Sequence, residues 1–133
     1  MDVKKICNHS SKATQGSLFI AVKGFAKDGH DYINDAIEKG ASAIISDSEV
    51  LNTISVPNIK VKNSRLALSH IASRYYNYPS KELTIVGITG TNGKTTTASI
   101  FYSILKANGY NSAQLGTMGT ITDSYKSKKT LTT

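Results

Sequence analysis

The segment from Ile88 to Thr97 reads ITGTNGKTTT and joins an apolar run to the start of a helical pattern. Glycine adopts backbone conformations that other residues avoid, so Gly90 and Gly93 mark a tight turn there. Ahead of the turn, Leu83 to Ile88 is rich in β-forming residues and predicts a strand. After it, Lys94 to Asn108 places Ala98, Phe101, Ile104 and Leu105 at helical spacing until Gly109 stops the pattern. Strand, glycine turn and helix in succession predict an α/β fold in which the helix buries its apolar stripe.

The first half of the chain alternates in the same way. Ser17 to Val22 is a short, continuously apolar run that suits a buried strand. Asp31 can cap a helix that carries Tyr32, Ile33, Ala36 and Ile37 on one face and ends at Gly40. Ala43 to Ile45 and Ile59 to Val61 read as further strands. Ser64 can open a second helix, with Leu68, Ile71, Ala72 and Tyr75 at helical spacing. The stretch Asn77, Tyr78, Pro79, Ser80 ends it, because a residue before proline is pushed out of the α region. The expected organisation is therefore a small α/β domain over residues 1–78 and a second domain beginning over 79–133, where Leu115 and Ile121 suggest a strand or hairpin.

Backbone amides in a glycine turn before a helix point inward as an anion nest, and the helix start adds partial positive charge. A triphosphate fits such a place. Lys94 would reach the β- and γ-phosphates, and the Thr95 hydroxyl would be a Mg²⁺ ligand. Thr95, Thr96 and Thr97 are weak helix formers, each up to ~0.7 kcal/mol worse than alanine. Their place at a helix start points to function. The spacing is G-x-x-G-K-[ST], two residues shorter than the common phosphate-loop pattern, because Ile88 stands where the first glycine is expected.

No apolar run approaches the ~20 residues of a membrane span, and no apolar stretch follows the lysines near Met1 as in a secretory signal. The expected compartment is the cytoplasm. The lone Cys7 reads as a buried or half-buried thiol, and no Cys/His spacing resembles a metal site. A net charge of +7 would suit nucleic acid, a membrane surface or phosphate-rich small molecules. The densest basic stretch, Lys126, Lys128 and Lys129, is interleaved with serine rather than base-stacking aromatics, which argues against nucleic acid. His30 and His70 lack carboxylate partners in any recognisable motif, Asp28 and Asp31 read as turn and cap residues, and Tyr75, Tyr76 and Tyr78 as helix-end packing.

The string TGTNGKTTT resembles the ATP-binding loop of the Mur ligase family, which uses this shortened spacing. Gly16 to Ile45, GSLFIAVKGFAKDGHDYINDAIEKGASAII, resembles the N-terminal UDP-binding domain of its MurE and MurF branches, and the chain as a whole is most similar to MurE. The resemblance implies a small N-terminal UDP-binding α/β domain followed by the start of a P-loop ATPase domain. It implies an ATP-dependent ligase that adds the third amino acid, diaminopimelate or lysine, to UDP-N-acetylmuramoyl-L-alanyl-D-glutamate, with ATP and Mg²⁺ as cofactors and no membrane or nucleic-acid partner.

By the same resemblance Gly90, Thr91, Asn92, Gly93, Lys94, Thr95 and Thr96 bind the nucleotide, Lys94 being catalytic and Thr95 also a metal ligand. Ser10 matches the serine of the family's D-S-R pattern, with His9 and Ser11 in place of its aspartate and arginine. The loop Gly24 to Gly29 resembles the segment that approaches the uracil, Gly116 to Met118 a G-T-M strand end, and Thr132 and Thr133 the threonines that contact the muramoyl-peptide. A MurF-type ligase and a non-enzymatic phosphosugar- or nucleic-acid-binding module are the alternatives. At this length the chain is expected to be inactive by itself and open to self-association after Tyr78.

Overall fold

The run beginning at Ser17 has no polar alternation because neither of its faces meets water. In the computed structural model, which describes residues 3–49 and 54–125, strand β2 (Ser17–Ile20) is buried at every position. It lies between β1 (Lys5–Cys7) and β3 (Ala41–Ser46), and β4 (Asn58–Lys60) completes a sheet of order β1-β2-β3-β4. Every neighbouring pair is parallel.

Such a sheet needs cover on both faces. Helices α1 (Ile33–Glu38) and α2 (Ser64–Tyr75) provide it. Successive strand residues point to opposite sides. Phe19, Ala21 and Ile44 therefore pack with Ile33 and Ala36 of α1, while Leu18, Ile20, Ala43 and Ile45 meet Ala67, Leu68 and Ile71 of α2. Phe19, Ile20 and Ile44 are fully buried, each contributing about 1.5–3 kcal/mol of hydrophobic stabilisation.

Both helix starts differ in detail from the sequence expectation. The cap before α1 is Asp28 rather than Asp31: its Oδ1 accepts from the His30 amide at 3.0 Å and opens a 3₁₀ turn, Gly29–Tyr32, that leads into the helix. The chain bends this early because Gly29 lies against the backbone of Val22, where a Cβ would approach N and O to 2.7 Å. Helix α2 begins at Ser64, as expected, but Asn63 caps it by accepting from the Leu66 amide at 2.8 Å. The Ser64 side chain is turned inward instead. After Tyr75 the chain leaves the right-handed helical region, with Asn77 and Tyr78 at φ 60° and 54° before Pro79.

The chain divides into two compact units, Met1–Leu83 and Thr84–Thr133. In the second, helix α3 (Lys94–Ala107) forms over the expected stretch, and β5 (Gln114–Gly116) pairs antiparallel with β6 (Gly119–Ile121) as a hairpin. Two expectations fail there. Leu83 to Ile88 is not a strand, and Ile85 and Val86 are exposed. Nor does α3 bury its stripe: Phe101 and Ile104 are exposed, and Ala98 and Leu105 only half-buried. One physical reason covers both. A strand exists through its hydrogen-bonded neighbours and a helix stripe is buried by the layer beneath it, whereas β5 and β6 pair only with each other among the described residues. No described helix is long and apolar enough to cross a membrane.

Candidate functional site

The glycine turn forms directly ahead of α3. Gly90 has φ 151° and Gly93 φ 76°, and no atom lies within 4 Å of a Cβ built on Gly93, so the demand for glycine there is conformational rather than steric. Gly93 is the N-cap of α3 and no side chain caps the first turn. The helix-start amides at Lys94, Thr95 and Thr96 are thus left to other acceptors. Lys94 folds back over the turn, its Nζ donating to the carbonyls of Gly90 at 2.6 Å and Thr91 at 3.1 Å.

The structure thereby brings Gly90, Thr91, Gly93 and Lys94 together, with Asn92, Thr95 and Thr96 exposed around them. Thr95 Oγ1 also lies 3.5 Å from Thr117 Oγ1, at the turn between β5 and β6. Sequence reasoning assigned Thr117 no part in this site, since only the hairpin carries it back to the helix start. Among the described residues no group of three or more His, Cys, Asp or Glu side chains could hold a metal ion. The oxygen donors of Thr95 and Thr117 are of the hard type that suits Mg²⁺ completed by phosphate oxygens and water.

A second group of candidates sits at the carboxyl end of the parallel sheet, the edge where open α/β sheets bind ligands. Ser10 follows β1 in a 3₁₀ turn, Ser10–Lys12, and is half-buried. Lys39, 2.7 Å away, holds the Asp35 carboxyl below its usual range, with a smaller contribution from the Ser10 hydroxyl. After β2 the chain forms a narrow loop in which Gly24 N donates to Lys27 O at 2.9 Å and Gly29 N to Val22 O at 3.1 Å. Phe25 at its tip is 90% exposed. Arg65 of α2 donates from Nη2 to the Lys23 carbonyl at 2.8 Å and steadies the stem.

His30 is not isolated from carboxylates, contrary to the sequence expectation. Its Nδ1 lies 2.6 Å from Asp28 Oδ1, and its Nε2 lies 3.1 Å from Asp47 Oδ1, just past β3. The second contact falls outside hydrogen-bond geometry. The other Asp47 oxygen, Oδ2, accepts from the amide and hydroxyl of Ser64 at 3.0 and 2.9 Å. The Ser64 amide, opposed by partial burial and helped by its hydroxyl and by His30, holds the Asp47 carboxyl below the usual range. Asp28 is lowered in the same direction, first by the His30 amide and then by its ring. No sequence motif joins His30 to Asp47; the parallel order of β2 and β3 does. Thr132 and Thr133, with Lys126, Lys128 and Lys129, lie outside the described residues.

The model of the Mur ligase family, catalytic domain, matches residues 2–76, more than half of the chain. The chain belongs to the Mur ligase family. Over its whole length this Mur ligase chain is 43% identical to the UDP-N-acetylmuramoyl-L-alanyl-D-glutamate–2,6-diaminopimelate ligase of Cytophaga hutchinsonii, of which it spans 28%. Over 91% of its length it is 44% identical to the ligase of the same name from Clostridioides difficile, spanning 24% of that protein. It thus covers about a quarter of the length of these curated relatives.

Among solved structures, MurF ligase from Thermotoga maritima in complex with ADP superposes with a TM-score of 0.60 at 35% identity, over 82% of this chain and 24% of that one. A 2,6-diaminopimelate ligase structure gives a TM-score of 0.64 over 93% of this chain and 26% of that one. At 20% identity it speaks for the fold alone. The mixed α/β architecture is that of Mur ligases.

Proposed function

We propose that this chain is the UDP- and ATP-contacting front part of a MurE-type ligase, which joins diaminopimelate to UDP-N-acetylmuramoyl-L-alanyl-D-glutamate. The observation that carries the reading is the Gly90–Thr96 turn, with an uncapped helix start and a lysine folded over it, in a chain 43% identical throughout to a ligase of that name. Residues 1–78 would hold the uridine diphosphate through Ser10 and the Gly24–Gly29 loop, and residues 79–133 would begin the P-loop ATPase domain.

In this reading the amides of Lys94, Thr95 and Thr96 receive the phosphates of ATP, and the Lys94 ammonium turns from the Gly90 and Thr91 carbonyls to neutralise charge on the transferring phosphoryl group. The substrate's terminal carboxylate attacks the γ-phosphorus, ADP leaves, and an acyl-phosphate forms. The amine of diaminopimelate then attacks the acyl carbon, the amide bond forms as inorganic phosphate departs, and the amine's proton passes to solvent. Thr95, with Thr117 beside it, would hold Mg²⁺, which would supply positive charge to offset that of the phosphates. ATP and the UDP-linked substrate place the work in the cytoplasm.

The test is to supply the full-length protein with ATP, Mg²⁺, UDP-muramoyl-dipeptide and either diaminopimelate or lysine, and to weigh the products. Addition of diaminopimelate, with turnover at least a hundredfold lower in Lys94→Ala, is the expected result. Turnover only when UDP-muramoyl-tripeptide and D-alanyl-D-alanine are supplied in place of these substrates would replace this reading with the MurF type, and full activity of Lys94→Ala would remove the lysine's role.

A further inference from the structure

The loop between Val22 and Gly29 presents an aromatic tip to solvent on a stem only two backbone hydrogen bonds long. Two such bonds do not hold a projecting hairpin in one place. Its stem is fastened from outside. Arg65 takes the Lys23 carbonyl from the α2 side. On the other strand of the stem, the Asp28 carboxylate is bonded to both the amide and the ring of His30. The opposite nitrogen of that ring faces Asp47, which is itself fixed to the amide and hydroxyl of the buried Ser64. Asp28, His30, Asp47 and Ser64 thus form one polar chain from the loop through the end of β3 to the first turn of α2. The imidazole is 16% exposed.

We propose that His30 is a positioning residue for the uridine diphosphate site. It braces the Gly24–Gly29 loop against Asp47, so that the loop's backbone stands ready before the nucleotide arrives. The proposal rests on the reading of this loop as a uridine-contacting segment. Preorganisation of this kind raises affinity by removing the ordering that binding would otherwise require. Arg65 alone does not suffice, because it holds only the Lys23 strand of the stem.

The experiment uses the 133-residue chain, labelled with ¹⁵N and titrated with UDP, as wild type, His30→Ala, Asp47→Ala and the double variant. Amide exchange is followed at Gly24 and Gly29 in the loop and at Ala21, whose amide donates to Ile45 across the sheet. The expected result in His30→Ala is exchange at Gly24 and Gly29 at least tenfold faster, Ala21 unchanged, and UDP affinity at least fivefold weaker. The double variant should bind UDP no more weakly than the weaker single variant, since both substitutions break one brace. His30→Gln, which keeps a similar reach but has no ring to span both carboxylates, guards against a folding failure and should move the same way.

Unchanged UDP affinity in both His30 variants would overturn the brace, as would faster exchange at Ala21 in step with the loop, which marks general loosening. Wild type that shows no UDP-dependent shifts would instead overturn the uridine reading, whatever the loop amides do.

Discussion

Replacing Asp47 by alanine removes the acceptor for two donors at the start of α2. The Ser64 hydroxyl, on a residue only 1% exposed, and the Ser64 amide both lose their partner. A buried donor left without an acceptor costs about 1–3 kcal/mol, and a negative charge near a helix N-terminus contributes a further ~0.3–1 kcal/mol. The two donors share one oxygen, so their losses do not add in full. The expected destabilisation at pH 7 is about 2–3 kcal/mol. For a unit of this size that corresponds to a melting temperature lower by roughly 10–20 °C.

The pH dependence follows from the direction of the shift. Because the folded Asp47 carboxyl is held below its usual range, its contribution is fully present above the unfolded value of about 3.9. It is lost as pH falls through the folded value. Urea unfolding followed by circular dichroism should show the full gap between wild type and Asp47→Ala at pH 7 and a narrower gap at pH 3, below the unfolded value. An equal gap at both pH values would refute the argument, since the stabilisation would then not depend on the carboxylate charge.

Phe19→Ala opens a cavity between β2 and α1 and should cost about 3–5 kcal/mol in the same urea assay; a loss below 1 kcal/mol would mean that the sheet face is not packed as described. In the full-length ligase, Ser10→Ala should weaken UDP-muramoyl-dipeptide binding by about 0.5–1.5 kcal/mol in calorimetry while leaving ATP affinity alone. Burial pushes the Cys7 thiol up, so alkylation at pH 8 should be at least tenfold slower in the native chain than in urea. Equal rates would show the thiol to be accessible.

The parts of the fold that depend on neighbours in sequence were legible. The unbroken apolar runs at Leu18–Ala21 and Ala43–Ile45 reveal strands buried on both faces, and the stops at Gly40 and Gly109 end their helices. Parts that depend on a partner elsewhere were not. The β-rich run before Gly90 has the composition of a strand, yet it finds no ladder. The stripe of α3 has the right period, yet the two-stranded β5–β6 sheet leaves Phe101 and Ile104 exposed. The candidate site divides in the same way: the glycine turn and Lys94 form a local pattern, whereas His30, Asp47 and Ser64 meet only because consecutive parallel strands end at one edge.

The sheet order β1-β2-β3-β4 also bears on how the chain is made. Each strand pairs with the one synthesised just before it, so the sheet grows from one edge in the order in which residues leave the ribosome. Sequence-local pairings of this kind keep contact order low for a parallel sheet. By the time Tyr75 has emerged, both faces have received their helices, while the glycine turn and α3 are still to come. The exposed stripe of α3 is therefore translated behind a unit that can already close its own core. The apolar surface open to misassembly during synthesis is that of the later segment.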